Sequence, residues 1–127
     1  FLLERPEILY HFVDHTIMKK NDPTWKLDAS VSKEKLVTRD FGIITRMKNP
    51  YDPQRDVVIV CGCYGWGTQA ALRILADPES LKYINSDGRY FQVLCTCDID
   101  RDRVALKAHL LDIHPLADLR QRSLVGL

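Results

Sequence analysis

Three glycines, Gly62, Gly65 and Gly67, follow the β-branched run Val57-Val58-Ile59-Val60 and precede Thr68-Gln69-Ala70-Ala71-Leu72. Glycine reaches positive φ and lets a backbone come close to another group. A strand that ends in such a loop and reopens as a helix aims free N–H groups at one point, a ready place for an anion. The loop Cys61-Gly62-Cys63-Tyr64-Gly65-Trp66-Gly67-Thr68 has no lysine before Thr68, so it is not a Walker loop. Nor does it have the strict G-x-G-x-x-G spacing of dinucleotide folds. Tyr64 and Trp66 at its tip are costly to leave in water, so they are expected to stack on a base or ring, or to cover a partner surface. The ligand-binding candidates are therefore Gly62, Tyr64, Gly65, Trp66, Gly67 and Thr68. The plainer reading is a tight strand-to-helix turn whose glycines only let helix and strand pack.

Carboxylates supply the second set. Asp98 and Asp100 end the apolar run that starts at Phe91, on the sheet edge expected to carry the glycine loop. In open α/β sheets the ligand crevice lies there, and a carboxylate can bind a ribose hydroxyl or act as a base. Asp40 is the third catalytic candidate. The plainer reading is a solvated hairpin loop, since Arg101, Asp102 and Arg103 follow. Cys61 and Cys63 share one side of their strand, as do Cys95 and Cys97, so adjacent strands could gather four thiols. Zinc sites usually use C-x2-C on turns, not C-x-C on extended strands, so no metal site is expected and core filling is the leading reading. His11, His15, His109 and His114 are scattered, with no H-E-x-x-H among them.

The elements that must position these groups follow from hydrophobic pattern. A strand is expected over 40–47, a turn at Asn49-Pro50-Tyr51-Asp52-Pro53, and a central strand over 56–61. The uninterrupted β-branched run implies a strand covered on both faces, as in a parallel sheet. A helix over about 68–76 follows, with Thr68 as its cap and Ala70, Ala71, Ile74 and Leu75 as its apolar stripe. Asp77-Pro78 stops it, and 79–84 can add one or two helical turns. A third strand over 91–98 completes a βαβ crossover. Residues 104–113 alternate as a hairpin partner, with a helix as the competing reading. Near the start, a helix over 7–13 competes with a strand over 10–17, and 25–37 reads as polar and irregular.

Residues 40–44 (Asp-Phe-Gly-Ile-Ile), then Asn49-Pro50-Tyr51, then Gly62-Cys63-Tyr64-Gly65-Trp66-Gly67-Thr68, resemble uncharacterised prokaryotic Rossmann-like domains. Those domains carry Asp-Tyr-Gly-hydrophobic-Ile, Asn-Pro-Phe and Gly-x-His-Gly-x-Gly-Thr motifs and are often joined to DNA-binding or signalling modules. The resemblance covers about residues 38–76 and, more loosely, 91–98. It implies a Rossmann-like α/β sheet finished by an antiparallel hairpin, and a further βα unit ahead of residue 1. Tyr64 stands where the pattern often has histidine, which weakens acid–base chemistry at that position.

The 127 residues are 46% hydrophobic and 28% charged with a formal net charge of +1, so nothing in the charge calls for nucleic acid or an anionic membrane surface. No apolar run approaches a membrane span, and a cytoplasmic protein is expected. The expected division is an N-terminal segment over 1–37, a Rossmann-like core over 38–115 and a tail or linker over 116–127. The leading functional expectation is a binding or sensor domain for a nucleotide-like or other anionic small molecule. A hydrolase or transferase of a nucleotide-like substrate, using a strand-end carboxylate, is the first alternative. An interaction or assembly domain, joining a second copy or an adjoining domain through Tyr51, Tyr64 and Trp66, is the second.

Overall fold

A computed structural model describes residues 7–86 and 88–117. The expected tail over 116–127 therefore lies mostly outside the described residues, as does the start of the N-terminal segment.

The chain first forms a small antiparallel meander from β1 (Tyr10–Val13), β2 (Thr16–Lys19) and β3 (Asp22–Leu27). Asp14 takes φ 55° in the first turn, a conformation that aspartate tolerates better than most residues. This replaces the helix over 7–13, and the single strand expected over 10–17 is broken at Asp14-His15, where the chain turns back on itself to form a hairpin. The polar stretch at 25–37 also holds strand structure, the end of β3 and the two-residue β4 (Ser30–Val31).

The main sheet is built on β5 (Val37–Lys48). One edge of β5 pairs with β7 (Phe91–Ile99), which pairs in turn with β8 (Ala105–Pro115). Its other edge carries β4 opposite Val37 and Arg39, and then β6 (Asp56–Gly62) opposite residues 42–48. After β6 come α1 (Gly65–Ala76) and α2 (Pro78–Asn85). Of residues 104–113, all but Val104 belong to the hairpin strand β8, and none to a helix.

Every strand pairing among the described residues is antiparallel, which overturns the Rossmann-like α/β expectation. The reason is the position of β5. Both β6 and β7 run against it, so they point the same way and α1 does cross between them. But β5 lies in the gap, with Gly42 opposite Gly62 on one side and Cys95 on the other. The two strands flanking the helix never form a parallel ladder.

Each face of the sheet has its own core. On one face α1 lays Ala70, Ala71 and Ile74 against Ile44, Val93, Cys95 and Cys97. On the other, Tyr10 and Ile17 of the meander cover Phe41, Ile43 and Leu94. Ile44, Val93 and Ile17 are fully buried, each stabilising the fold by about 1.5–3 kcal/mol. The meander is also tied down by one polar side chain. Buried Gln92 accepts the N–H groups of Leu9 (2.9 Å) and Tyr10 (2.8 Å) and donates to the Tyr10 carbonyl (2.9 Å) and Thr45 Oγ1 (3.1 Å). Among the described residues no helix is long and apolar enough to cross a membrane.

Candidate functional site

The glycine loop is where sequence places a ligand. Helix α1 begins at Gly65, so Thr68 lies inside its first turn rather than at its cap. The N–H groups of Tyr64 and Gly67 converge on Oδ2 of Asp40 at 3.0 and 2.7 Å, while Oδ1 accepts the N–H of Phe41 at 2.8 Å. Asp40 is fully buried, and its own carbonyl accepts a hydrogen bond from Thr96 Oγ1 at 2.8 Å. The N-terminal end of a helix carries partial positive charge and favours an anion. Here β5 supplies that anion from within the chain.

Three glycines allow it. A Cβ on Gly67 would lie 2.0 Å from the Phe41 carbonyl oxygen, one on Gly42 would lie 2.3 Å from the Gly67 oxygen, and one on Gly62 would lie 2.3 Å from the Thr68 nitrogen. These are backbone-on-backbone contacts that no side chain could share. Gly65 is different: a Cβ there meets nothing within 4 Å.

The two loop aromatics are engaged within the chain as well. Tyr64 stacks on His15, with ring centroids 4.7 Å apart and planes 6° from parallel. His15 Nδ1 lies 2.8 Å from the Cys63 carbonyl, which can only accept, so that nitrogen carries the proton. The Trp66 indole donates to the Arg103 carbonyl at 3.3 Å, and the Arg103 guanidinium sits 4.8 Å over its ring. Tyr51 is far more exposed, at 87%, in the turn between β5 and β6.

The other carboxylates do not join Asp40. Asp40 pairs with Cys97 and shares the helix-facing side of the sheet, whereas the neighbouring Asp98 takes the opposite side. Arg39 Nε donates to Asp98 at 2.8 Å and holds its carboxyl below the usual range. Asp100 accepts the Val104 N–H at 2.9 Å and shapes the β7–β8 turn. An acid–base pair of carboxylates is not assembled from these three.

Nor do the thiols gather. Cys61 pairs with Ile43 on the meander side, and Cys63 packs in the same cluster, while Cys95 and Cys97 belong to the helix-side core. Burial first, and then the nearby Asp40 charge, push the Cys63 thiol up to about 12, and burial also raises Cys95 to about 12. These groups stay protonated and are poor nucleophiles near neutral pH. Among the described residues no cluster of three or more His, Cys, Asp or Glu side chains could hold a metal.

Two features escaped the sequence reading. The first is Asp56, which accepts hydrogen bonds from Arg46 (3.1 Å), Arg89 (3.1 Å) and the Tyr90 hydroxyl (3.0 Å). The second is the contrast between the sheet's two outer strands. The edge strand β8 carries Lys107, His109, Asp112 and His114, two register shifts and a terminal Pro115. Arg73 further covers its Ala105 and Leu106 carbonyls, at 2.9 and 3.1 Å. Charges, irregularities and proline are the usual means of blunting a sheet edge. The edge strand β6 has none of them between Asp56 and Gly62. Its pairing with β5 runs without a register shift, and its apolar residues are only half-buried, with Val58 49% exposed. Searches against protein-family models, curated proteins and solved structures return no match for this chain.

Proposed function

We propose that this chain is a protein-interaction module whose open β6 edge takes up an extended strand from a partner. The observation that carries the reading is a conflict between sequence and position. Val57-Val58-Ile59-Val60-Cys61 has the composition of a strand covered on both faces and flanked on both sides, yet among the described residues it pairs with β5 alone. An unpaired row of backbone N–H and C=O groups on an uncharged apolar strand is a template for strand addition. The protected β8 edge shows that the same sheet can carry the blunting devices where they are needed. The glycine loop supports the reading by subtraction: its converging N–H groups are already given to Asp40, so it offers an outside anion less than its sequence promises.

The test uses a heptapeptide of the β6 sequence, Asp-Val-Val-Ile-Val-Cys-Gly, as the probe. Hydrogen exchange read by mass spectrometry should show added protection confined to residues 56–62. Substituting Val58→Lys on the exposed side should weaken binding roughly tenfold or more, because it brings a charge into an apolar strand–strand contact. Protection appearing on β8 instead, or none at saturating peptide on the protein held at concentrations where it is monomeric, would sink the proposal.

A further inference from the structure

We infer that the strand received by β6 is the β6 of a second copy of this chain, the two related by a two-fold axis at Ile59. This rests on the preceding reading that the β6 edge takes a strand, and it names the partner. Side chains alternate along a strand. Val57, Ile59 and Cys61 share the meander side with Met47, Thr45 and Ile43, and Val58 and Val60 share the helix side with Arg46 and Ile44. A strand added beside β6 therefore meets apolar groups on both of its faces. An amphipathic strand, polar on one side, would bury that polar side against valines or isoleucine. The strand needed is uncharged and apolar on both faces for about five residues, and β6 itself is such a strand.

Self-pairing adds no electrostatic conflict. A two-fold axis requires that residue i face j and residue j face i. With the axis at Ile59, all seven residues overlap: Val57 faces Cys61 of the second copy, Val58 faces Val60, and Asp56 faces Gly62. Like charge never opposes like charge. The Asp56 carboxylate at the end of the seam is already bound by Arg46, Arg89 and Tyr90 within its own subunit. The product is a continuous antiparallel sheet running through both subunits, in which, among the described residues, β8 is the outer edge on that lane and already carries its protection.

The experiment is sedimentation equilibrium on the full chain, on Val58→Lys and Val58→Glu separately, and on their equimolar mixture. In this register residue 58 of each copy lies diagonal to its counterpart, roughly 7–8 Å away. The wild type should show a monomer–dimer equilibrium, and each single variant should weaken it roughly tenfold or more through like-charge approach. The mixture should regain dimer, because lysine then meets glutamate across the axis. Thermal melts of the two variants check that the fold is kept, which the exposure of Val58 favours. A dimer untouched by both charges would place the contact elsewhere and overturn the inference. A wild type that stays monomeric at every concentration would overturn it too. If that monomer still bound the heptapeptide, strand addition at β6 would stand and only the second-copy assignment would fall; if it did not, both would fall.

Discussion

At the scale of single residues, the glycine loop shows how a group can look vacant in sequence and be occupied in space. The sequence of 61–68 says that N–H groups converge and that glycines bring backbones close. It does not say that Asp40, 24 and 27 residues earlier than Tyr64 and Gly67, will supply the anion. A lone aspartate before Phe41 carries no local mark of that role. The glycines themselves divide by what surrounds them. Gly67→Ala would force a methyl group into the Phe41 carbonyl, backbone against backbone, and should lower stability by about 3 kcal/mol. Gly65→Ala meets open space at the start of a helix, in a backbone conformation without positive φ, and should raise stability by about 0.5 kcal/mol. Urea denaturation of both variants checks this. Equal losses would mean that the loop glycines serve flexibility rather than close approach.

At the scale of elements, much was legible because the signals are local. The strands over 40–47, 56–61 and 91–98 and the helix ending before Asp77-Pro78 match β5, β6, β7 and α1 to within a few residues. What could not be read was order in the sheet. Alternation and apolar runs look the same whether a neighbour is parallel or antiparallel, and nothing in Val57–Cys97 announces that β5 lies between β6 and β7. The meander was harder still, since Asp22-Pro23-Thr24 is polar and its strand is held by partners rather than by composition. The partner of that strand is β2, and the meander as a whole is tied to the sheet at β1 by Gln92. Gln92→Leu keeps the volume but leaves the Leu9 and Tyr10 N–H groups without their acceptor, at a cost of about 2–4 kcal/mol for one buried and one half-buried donor. Native-state hydrogen exchange should then quicken at residues 9 and 10 while the amides of β5 and β7 stay protected. Uniform quickening would instead mean that meander and sheet unfold as one unit.

At the scale of the whole molecule, ionisable groups on both sides of the sheet set a window of pH in which the fold is most stable. On the acid side stands Asp56, which joins β5, β6 and the approach to β7 through Arg46, Arg89 and Tyr90. Burial works to raise its pKa, but the hydrogen bonds from Arg46, Tyr90 and Arg89 outweigh it and the net shift is downward. Its contribution is thus complete above the ordinary carboxylate range near pH 4 and is lost as pH falls through the lower folded value. The half-exposed Arg39–Asp98 pair acts in the same direction but is screened by solvent and counts for little. On the alkaline side stand Cys63 and Cys95, both pushed up to about 12, and Tyr10, raised by burial and by its bond to Asp112. In the unfolded chain a thiol ionises near pH 8.5, so above that value the unfolded state releases protons that the folded state keeps, and stability declines as pH rises. The melting temperature should therefore be level from about pH 5 to 8 and fall on both sides. Asp56→Asn should lower the plateau by about 1.5–3 kcal/mol and flatten the acid limb, because the charge that titrates there is gone. Cys95→Ala should flatten the alkaline limb and leave the acid one unchanged. A variant that shifted both limbs together would show that the two sets of groups are coupled through the sheet rather than independent.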